Sequence, residues 1–199
     1  MKLYKIRISE IEKTSFEKWF SEMTEERRVE VLRLKAAEKQ AQKIAAHHLC
    51  RGSISEFCGI PETDIILART EYGKPYAAGL PVHFSVSHSG DYAVCAVSEN
   101  EIGIDIEKIR KINPNISKRY ASENETEYIS SHENGLFEIW TLKEAYFKCI
   151  GTGLGPDIKS VSFSIQPSGI ICSESGFECS FAEIGQGYIC SVCEKTNKK

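Results

Sequence analysis

The stretch "EIGIDIEKI" places two acidic residues on a segment that alternates like a β-strand. Isoleucines at alternate positions would share one face of the strand, whereas Asp105 and Glu107 would share the other. Asp and Glu are poor strand formers, and two like charges on one strand face repel each other. A divalent cation between the two carboxylates would convert this repulsion into binding. Because hard oxygen ligands favour Mg²⁺, we interpret the pair as a candidate magnesium site.

The stretch "FEIWTLKEAYFKCIG" supplies a third carboxylate on a predicted helix. Its apolar side chains recur at the spacing of a face that packs on a core, namely Leu142, Ala145, Tyr146 and Cys149. Glu144 and Lys148 lie four residues apart on the other side, where they could simply form a solvated ion pair worth ~0.2–0.5 kcal/mol. If Glu144 instead joins the strand carboxylates, a bound cation keeps positions open for phosphate oxygens and water.

The first half of the chain must place the strand that carries the acidic pair. We predict a strand at 2–9 and a helical region from about Thr24 to about Phe57 that breaks in its middle. Turn residues follow, and the segment 83–109 then predicts three strands joined by short turns.

The second half must place the helix that carries Glu144. An irregular helical stretch is predicted at 114–133, followed by a strong helix from about 137 to 150 that ends at Gly151, a natural C-cap. The remainder alternates as short strands. Helices do not alternate with single strands, so the order favours an α+β fold over a doubly wound α/β fold.

The arrangement predicts two similar α+β halves related by a pseudo-twofold axis, each a helix packed on a small, mainly antiparallel sheet. We place the N-terminal half at 1–101 and the C-terminal half, which carries the metal site, at 102–199. Residues from the two halves would then meet in a cleft between them, a common location for ligands.

Composition limits the classes of function. The 199 residues include 41% hydrophobic and 27% charged residues with a net charge of -3, which is typical of a soluble globular protein. This charge gives no reason to expect a nucleic-acid or membrane partner. The N-terminus lacks the continuous apolar stretch of a signal peptide, and the expected location is therefore the cytoplasm.

Eight cysteines raise the question of disulfides or a metal site. Without a signal peptide, reduced thiols buried as small apolar groups are favoured. Cys190 and Cys193 form a CxxC, but on a predicted strand positions three apart face opposite ways, and no second ligand pair has suitable spacing. We therefore interpret both as core residues rather than as zinc or redox ligands.

Four motifs in order give the sequence a resemblance to a known family. They are "YGKPY" at 72–76, "FSVSHSG" at 84–90, "IGIDIEK" at 102–108 and "WTLKEAYFK" at 140–148. Their order and spacing resemble the 4′-phosphopantetheinyl transferase superfamily, in particular its surfactin-synthetase-activator (Sfp) type. The resemblance implies transfer of the phosphopantetheine arm of coenzyme A to a serine of an apo acyl or peptidyl carrier protein, with 3′,5′-ADP as by-product.

The resemblance also assigns roles to the acidic residues and the helix lysine. It implies that Asp105, Glu107 and Glu144 hold Mg²⁺, or Mn²⁺ in its place, and that Lys148 contacts the phosphates. For the base that activates the serine hydroxyl, both Glu144 and Glu127 are candidates.

Further residues are implied to bind coenzyme A, namely Arg27, Lys43, Lys74, Ser87, His88 and Lys148. Two positions depart from the family pattern: Gln42 stands where an arginine is expected, and Glu30 stands where a lysine is expected. Either Lys39 or Lys43 therefore substitutes for the missing cation, or the protein binds the 3′-phosphate less strongly.

The partners follow from the same resemblance. An acidic carrier protein would dock on basic and apolar surface near residues 110–130, and a chain of this length would complete its cleft as a monomer. Two other functions use the same residues: a Mg²⁺-dependent phosphohydrolase, and an inactive protein that binds coenzyme A or a carrier.

Overall fold

The computed structural model describes residues 1–196 and shows the predicted α+β fold with its two halves. The last three residues of the predicted C-terminal half lie outside the described residues. The strands of the first half are β1 (Lys2–Arg7), β2 (Leu67–Arg69), β3 (Pro75–Ala77), β4 (His83–Ser89) and β5 (Tyr92–Ser98). Its helices are α1 (Lys13–Glu22), α2 (Glu25–Leu32) and α3 (Ala37–Cys58).

The elements of the second half begin with the strand that carries the acidic pair. The strands are β6 (Ile102–Lys108), β7 (Phe163–Gln166), β8 (Gly169–Cys172), β9 (Phe177–Phe181) and β10 (Tyr188–Lys195). The helices are α4 (Glu123–Ser131) and α5 (Gly135–Ile150). Short 3-10 turns cover Ile8–Glu10, Glu62–Asp64, Pro114–Arg119 and Pro156–Lys159. No helix within residues 1–196 is long and apolar enough to cross a bilayer.

The first half packs the long helix α3 on the antiparallel sheet β1–β5–β4. One prediction here was wrong in detail. The first strand ends at Arg7 rather than at residue 9, because β5 begins at its partner Tyr92 and the chain then turns. The predicted helical region does break, into α2 and α3, and Thr24 caps α2 by accepting a hydrogen bond from the Arg27 amide. The helix α1, which precedes this region, was not predicted.

The second half packs α5 on the five-stranded sheet β6–β10–β9–β8–β7. Gly103 lets α5 approach β6 closely, since a Cβ built there would lie 1.9 Å from the backbone oxygen of Ala145. The predicted apolar stripe of α5 is buried, and the helix ends at Gly151 with a φ of 78°. The stretch predicted as irregular and helical consists of a 3-10 turn and α4, which begins with a capping box of Ser122 and Glu125.

The two sheets meet side by side at strands β4 and β6, which do not pair through their backbones. Ser85 Oγ accepts the backbone N–H of Ile104, and Ser89 Oγ accepts that of Lys108, each at 3.1 Å. Both contacts advance by four residues in the same direction, so the strands run parallel. We call this line of contact the seam, and the site residues lie along it.

Both faces of β6 are buried, in different surroundings. Its isoleucines pack between the sheets with residues such as Val94 and Val192, whereas Gly103 and Asp105 face α5 and the seam. The alternation predicted from the sequence is therefore confirmed. Cys190 and Cys193 are buried in separate apolar clusters on opposite faces of β10, as the core interpretation predicts.

Candidate active site

Asp105 lies at the centre of the seam and is only 5% exposed. Its Oδ1 accepts hydrogen bonds from Ser87 Oγ at 2.7 Å and from Lys148 Nζ at 2.6 Å. Lys148 Nζ also donates to Ser87 Oγ at 3.1 Å, so one residue each from β4, β6 and α5 forms a closed triangle. Burial raises the pKa of Asp105, and the ammonium of Lys148 opposes that shift.

Glu107 lies two residues farther along β6 and is partly exposed. Its Oε2 accepts hydrogen bonds from Ser89 Oγ and from Arg110 Nη1, both at 2.9 Å. The serines of β4 thus hold both acidic side chains that the sequence singled out. Lys148 and Arg110 supply the opposite charge in this state.

Glu144 lies one helical turn before Lys148 on α5. Burial raises the pKa of its carboxyl to about 7, and the negative charges of Asp105 and Glu107 add to the shift. The three carboxylates therefore lie close enough to interact electrostatically, as the ligands of one shared cation must.

The donor set fits a hard divalent cation, although the oxygens do not converge on one point. Within residues 1–196, no group of three or more His, Cys, Asp or Glu side chains is close enough to hold a metal ion. In the described state, Lys148 and Arg110 engage oxygens of Asp105 and Glu107. Three mutually repelling carboxylates with only oxygen donors are nevertheless the chemistry that Mg²⁺ or Mn²⁺ prefers.

A cavity of about 380 Å³ opens beside the seam and draws its walls from both halves. Five of the residues predicted to bind coenzyme A line it: Arg27, Lys43, Ser87, His88 and Lys148. The rest of the lining is largely apolar and includes Met23, Val31, Leu67 and Phe84. Cations at a largely apolar cavity suit a ligand with an anionic part and a flat or apolar part.

His88 presents a buried nitrogen to this region. Its Nδ1 is buried and has no hydrogen-bond partner among residues 1–196. Burial lowers the pKa of His88 to about 4, and the charges of Lys39 and Lys148 lower it further, so the ring is neutral at pH 7. A buried polar atom without a partner is costly. The ring of His88 also lines the large cavity, where a ligand could contact it.

Lys74 lies in a smaller adjacent cavity of about 220 Å³ that Lys148 also lines. Its Nζ donates at 2.6 Å to the backbone oxygen of Cys149, near the C-terminus of α5. Burial lowers the pKa of Lys74. The lysine therefore links the turn before β3 to the helix that carries Glu144.

Glu30 is the acidic member of a charged cluster at the wall of the large cavity. Its Oε2 lies 2.8 Å from Arg27, 3.2 Å from Lys43 and 3.5 Å from Arg69. Burial raises the pKa of Glu30, but the hydrogen bonds from Arg27 and Lys43 outweigh burial and lower it. Sequence reasoning missed Arg69, because it lies on a three-residue strand whose pairing with β3 has no clear periodic signal.

Gln42 does not line the large cavity. It is fully buried, and its Nε2 donates to the backbone oxygen of Gly90 at 2.7 Å and to Glu38 Oε1 at 3.2 Å. Its Oε1 accepts from Lys39 Nζ at 3.0 Å. Gln42 thus ties α3 to the turn between β4 and β5, which supports the strand that carries Ser87 and His88.

Two family models match adjacent parts of this chain. The model described as "4'-phosphopantetheinyl transferase, N-terminal" matches residues 10–100. The model described as "4'-phosphopantetheinyl transferase superfamily" matches residues 101–193.

Individual relatives match over most of their length. The 4′-phosphopantetheinyl transferase gsp of Aneurinibacillus migulanus is 30% identical over 194 residues, covering 93% of this chain and 81% of that protein. The 4′-phosphopantetheinyl transferase Sfp of Bacillus subtilis is 30% identical over 205 residues, covering 97% and 92%. The chain belongs to the 4′-phosphopantetheinyl transferase superfamily. A solved holo-[acyl-carrier-protein] synthase from Thermotoga maritima is 20% identical with a TM-score of 0.43, covering 50% of this chain and 64% of that one.

This phosphopantetheinyl transferase is therefore an enzyme that uses coenzyme A and acts on carrier proteins. The structure brings Asp105, Glu144 and Lys148 of the transferase together at the seam. It places Glu127 elsewhere, exposed on α4 in a groove lined by α4, β7 and β8. That groove is lined by none of the three carboxylates of the predicted metal site.

Proposed function

We propose that this chain transfers phosphopantetheine from coenzyme A to a serine of an apo acyl or peptidyl carrier protein, releasing 3′,5′-ADP and requiring Mg²⁺ or Mn²⁺. The observation that carries the proposal is the triangle of Ser87, Asp105 and Lys148 beside a cation-lined cavity. This arrangement places an acidic group that a metal ion needs and basic groups that phosphates need next to each other along the seam.

The residues that would hold the cation are Asp105, Glu107 and Glu144. A bound divalent cation supplies positive charge to the pyrophosphate of the substrate. Support comes from the burial of the Asp105 carboxylate and from the pKa of Glu144, which burial raises first and the charges of Asp105 and Glu107 raise further. Ser87 and Ser89 orient the two strand carboxylates through hydrogen bonds.

The residues that would bind coenzyme A are the cations of the two cavities together with Ser87 and His88. Lys148 and Lys74 lie nearest the seam and would stabilise charge on the phosphates as the phosphoanhydride bond breaks. Arg27 and Lys43, with Arg69, would attract the 3′-phosphate at the far wall. The neutral ring of His88, which lines the large cavity, would contact the ligand there.

Glu144 is our proposed general base. Its position on α5, beside Asp105 and Lys148, suits a group that takes a proton from the serine hydroxyl at this site. Glu127, the other candidate from the sequence, is exposed on α4 and lines a different groove. We therefore expect Glu127→Gln to keep most of its turnover.

The carrier protein would dock beside the metal site. A small groove there is lined by Glu107, Arg110, Ile112, Ile116, Tyr120, Leu136, Phe137 and Trp140. Arg110 is 54% exposed at its side chain, and Ile116 is exposed as well. An apolar groove with an exposed cation suits an acidic partner that presents an apolar residue. Part of this groove belongs to the region 110–130 that the sequence predicts. Glu107 of β6 and three residues of α5 complete it.

Because Arg27 and Lys43 come from the first half and Lys148 comes from the second, one chain supplies both sides of the cavity. This supports a monomer with one coenzyme A site. The family models, which meet between residues 100 and 101, support the division into halves near that point.

The deciding experiment is intact-mass analysis of several apo carriers after incubation with coenzyme A and Mg²⁺. We expect a gain of one phosphopantetheine on a carrier serine, abolished by a chelator and restored by Mg²⁺ or Mn²⁺. Asp105→Asn should lower kcat by about 100-fold or more, since charge at the reacting centre is lost. Glu101→Gln removes a carboxylate from a surface ion pair with Lys195 and serves as the control.

Two outcomes would contradict the proposal. If folded wild-type enzyme modifies none of the apo carriers, the proposed function is wrong. If Asp105→Asn keeps near-normal turnover, the transferase activity stands but the metal site assigned to β6 is wrong.

A further inference from the structure

Four cysteines form a line from α5 across the sheet that packs on it. In spatial order they are Cys149 on α5, Cys193 on β10, Cys179 on β9 and Cys172 on β8. Cys179 and Cys193 are in hydrogen-bonding contact, the other neighbours interact electrostatically, and all four are free thiols. The transferase function described above uses none of them.

Within this line, Cys179 and Cys193 are directly opposite each other on paired antiparallel strands. Their Sγ atoms are 2.9 Å apart. A disulfide bond requires sulfurs about 2.05 Å apart and Cβ atoms about 3.5–4.5 Å apart, whereas directly opposite strand positions bring Cβ atoms to about 4.5–5.5 Å. The sulfurs must therefore approach by less than one ångström, and the two strands must draw together slightly. Cys172 is less well placed, because Ile170 rather than Cys172 lies opposite Cys179.

The two thiols differ in access and in acidity. Cys179 is partly exposed, whereas Cys193 is fully buried under α5. Interactions with Cys172 and Cys193 lower the pKa of Cys179 to about 5, whereas interactions with Cys149 and Cys179 raise the pKa of Cys193. A partly exposed cysteine beside a buried one is the arrangement in which one sulfur attacks and the other resolves.

We propose that Cys179 is a modification site that reacts with small-molecule disulfides, and that Cys193 resolves the product to an intrachain Cys179–Cys193 disulfide. In the first step, the Cys179 thiolate attacks one sulfur of the small disulfide; the S–S bond breaks, and one thiolate leaves and takes up a proton. In the second step, Cys193 gives up its proton and attacks the Cys179 sulfur, which releases the second small thiol. Two cysteine thiols are oxidised by two electrons, and one small disulfide is reduced to two thiols.

The arrangement predicts selectivity among the eight cysteines. Cys58 is also partly exposed, but burial raises the pKa of its thiol, and it does not belong to the line. Cys50 and Cys95 are buried together in the first half, where an oxidant has no direct access. The reaction should therefore begin at Cys179.

The test is disulfide mapping on the full-length chain after incubation with oxidised glutathione as the probe. Free thiols are then blocked, the chain is digested without reductant, and peptides are identified by mass spectrometry. We expect a peptide pair linked through Cys179 and Cys193 and a loss of two hydrogens in the intact mass. Cys193→Ser should stop at the mixed disulfide on Cys179, and Cys179→Ser should give neither product.

Cys58→Ser is the matched control and should react as the wild type does. Circular dichroism shows whether each variant is folded, and Cys172→Ser provides a second, milder change in the line that should still yield the Cys179–Cys193 link. A wild-type link between any other pair overturns the assignment. So does a mixed disulfide that appears first on Cys58, or a folded wild-type chain whose Cys179 stays fully reduced while the probe is consumed elsewhere.

Discussion

At the residue scale, the candidate site depends on how a few charges are balanced. Asp105 is held by Lys148 and Ser87, and Glu107 by Arg110 and Ser89. Each carboxylate thus has one serine that fixes its position and one cation that balances its charge. A metal ion that binds the two carboxylates must displace the side chains of Lys148 and Arg110 from them. Metal binding would therefore change the contacts of both basic side chains.

The charged cluster around Glu30 gives a residue-scale prediction. Glu30→Gln removes the negative charge that Arg27, Lys43 and Arg69 now share, and these cations become free to bind the 3′-phosphate. We expect the affinity for coenzyme A to rise by about two- to fivefold, since a partly exposed charge pair is worth about 1 kcal/mol or less. The affinity for 3′-dephospho-coenzyme A should change little. Calorimetric titration of both ligands measures the ratio.

Glu26→Gln is the control for this prediction, because Glu26 is exposed on the same helix. An equal gain for both ligands, or the same gain in Glu26→Gln, would show that the effect is a general change of charge. The cluster would then have no specific part in reading the 3′-phosphate.

At the element scale, a buried ion pair joins α4 to α5. Lys143 and Glu125 are both fully buried, with Nζ and Oε2 3.0 Å apart. Lys143 also donates to the backbone oxygen of Val161 at 2.6 Å, and Glu125 Oε1 accepts the N–H of Phe163 at 2.9 Å. The pair therefore fastens both helices to the start of β7 and fixes the helix that carries Glu144.

Lys143→Met should destabilise the protein by about 3–5 kcal/mol, because it leaves the carboxylate of Glu125 buried without its partner. Denaturant unfolding measures the change in the free energy of unfolding. Lys195→Met breaks an exposed lysine–glutamate pair with Glu101 and should cost about 1 kcal/mol or less. Similar costs for the two variants would mean that the buried pair contributes no more than a surface pair.

At the scale of the whole molecule, buried histidines couple stability to pH. Burial lowers the pKa of His47 to about 4, and the charges of Arg27 and Arg51 add to the shift. The unfolded chain, with a histidine pKa of about 6.5, binds a proton between pH 6.5 and 4 that the folded chain does not. His47 therefore leaves the free energy of unfolding unchanged above pH 6.5 and lowers it as the pH falls toward 4.

His47→Gln removes this titration. Between pH 6.5 and 4 the wild type should lose about 2 kcal/mol more of its free energy of unfolding than the variant does. Urea unfolding at several pH values measures the difference, with His83→Gln, exposed on β4, as the control. Parallel pH curves for the wild type and His47→Gln would contradict the prediction.

The shared cavity gives a second prediction at this scale. Because both halves of one chain line it, the enzyme should be a monomer that binds one coenzyme A. Light scattering at micromolar concentration gives the mass, and calorimetric titration with coenzyme A and Mg²⁺ gives the stoichiometry. An obligate trimer, or one coenzyme A shared between chains, would contradict the architecture without removing the transferase activity.

Local patterns in the sequence determined much of the fold. The alternation of β6, the apolar stripe of α5 and its end at Gly151 were all predictable, because side-chain direction in a strand or helix follows from backbone geometry. The same periodicity placed Asp105 and Glu107 on one face. The helix α1 was missed although Phe16, Trp19 and Phe20 have the i, i+3, i+4 spacing of one helix face, which packs on α2 and α3.

The tertiary structure alone decided which distant segments meet. The serine contacts of the seam, the approach of Arg69 to Glu30 and the line of cysteines from α5 across its sheet each join elements far apart in the chain. Such contacts depend on strand order and on how sheets pack, and these follow from the burial of the whole core rather than from any local period. The sequence by itself determined which residues could perform the chemistry, and the packing of the two halves decided which of them share a site.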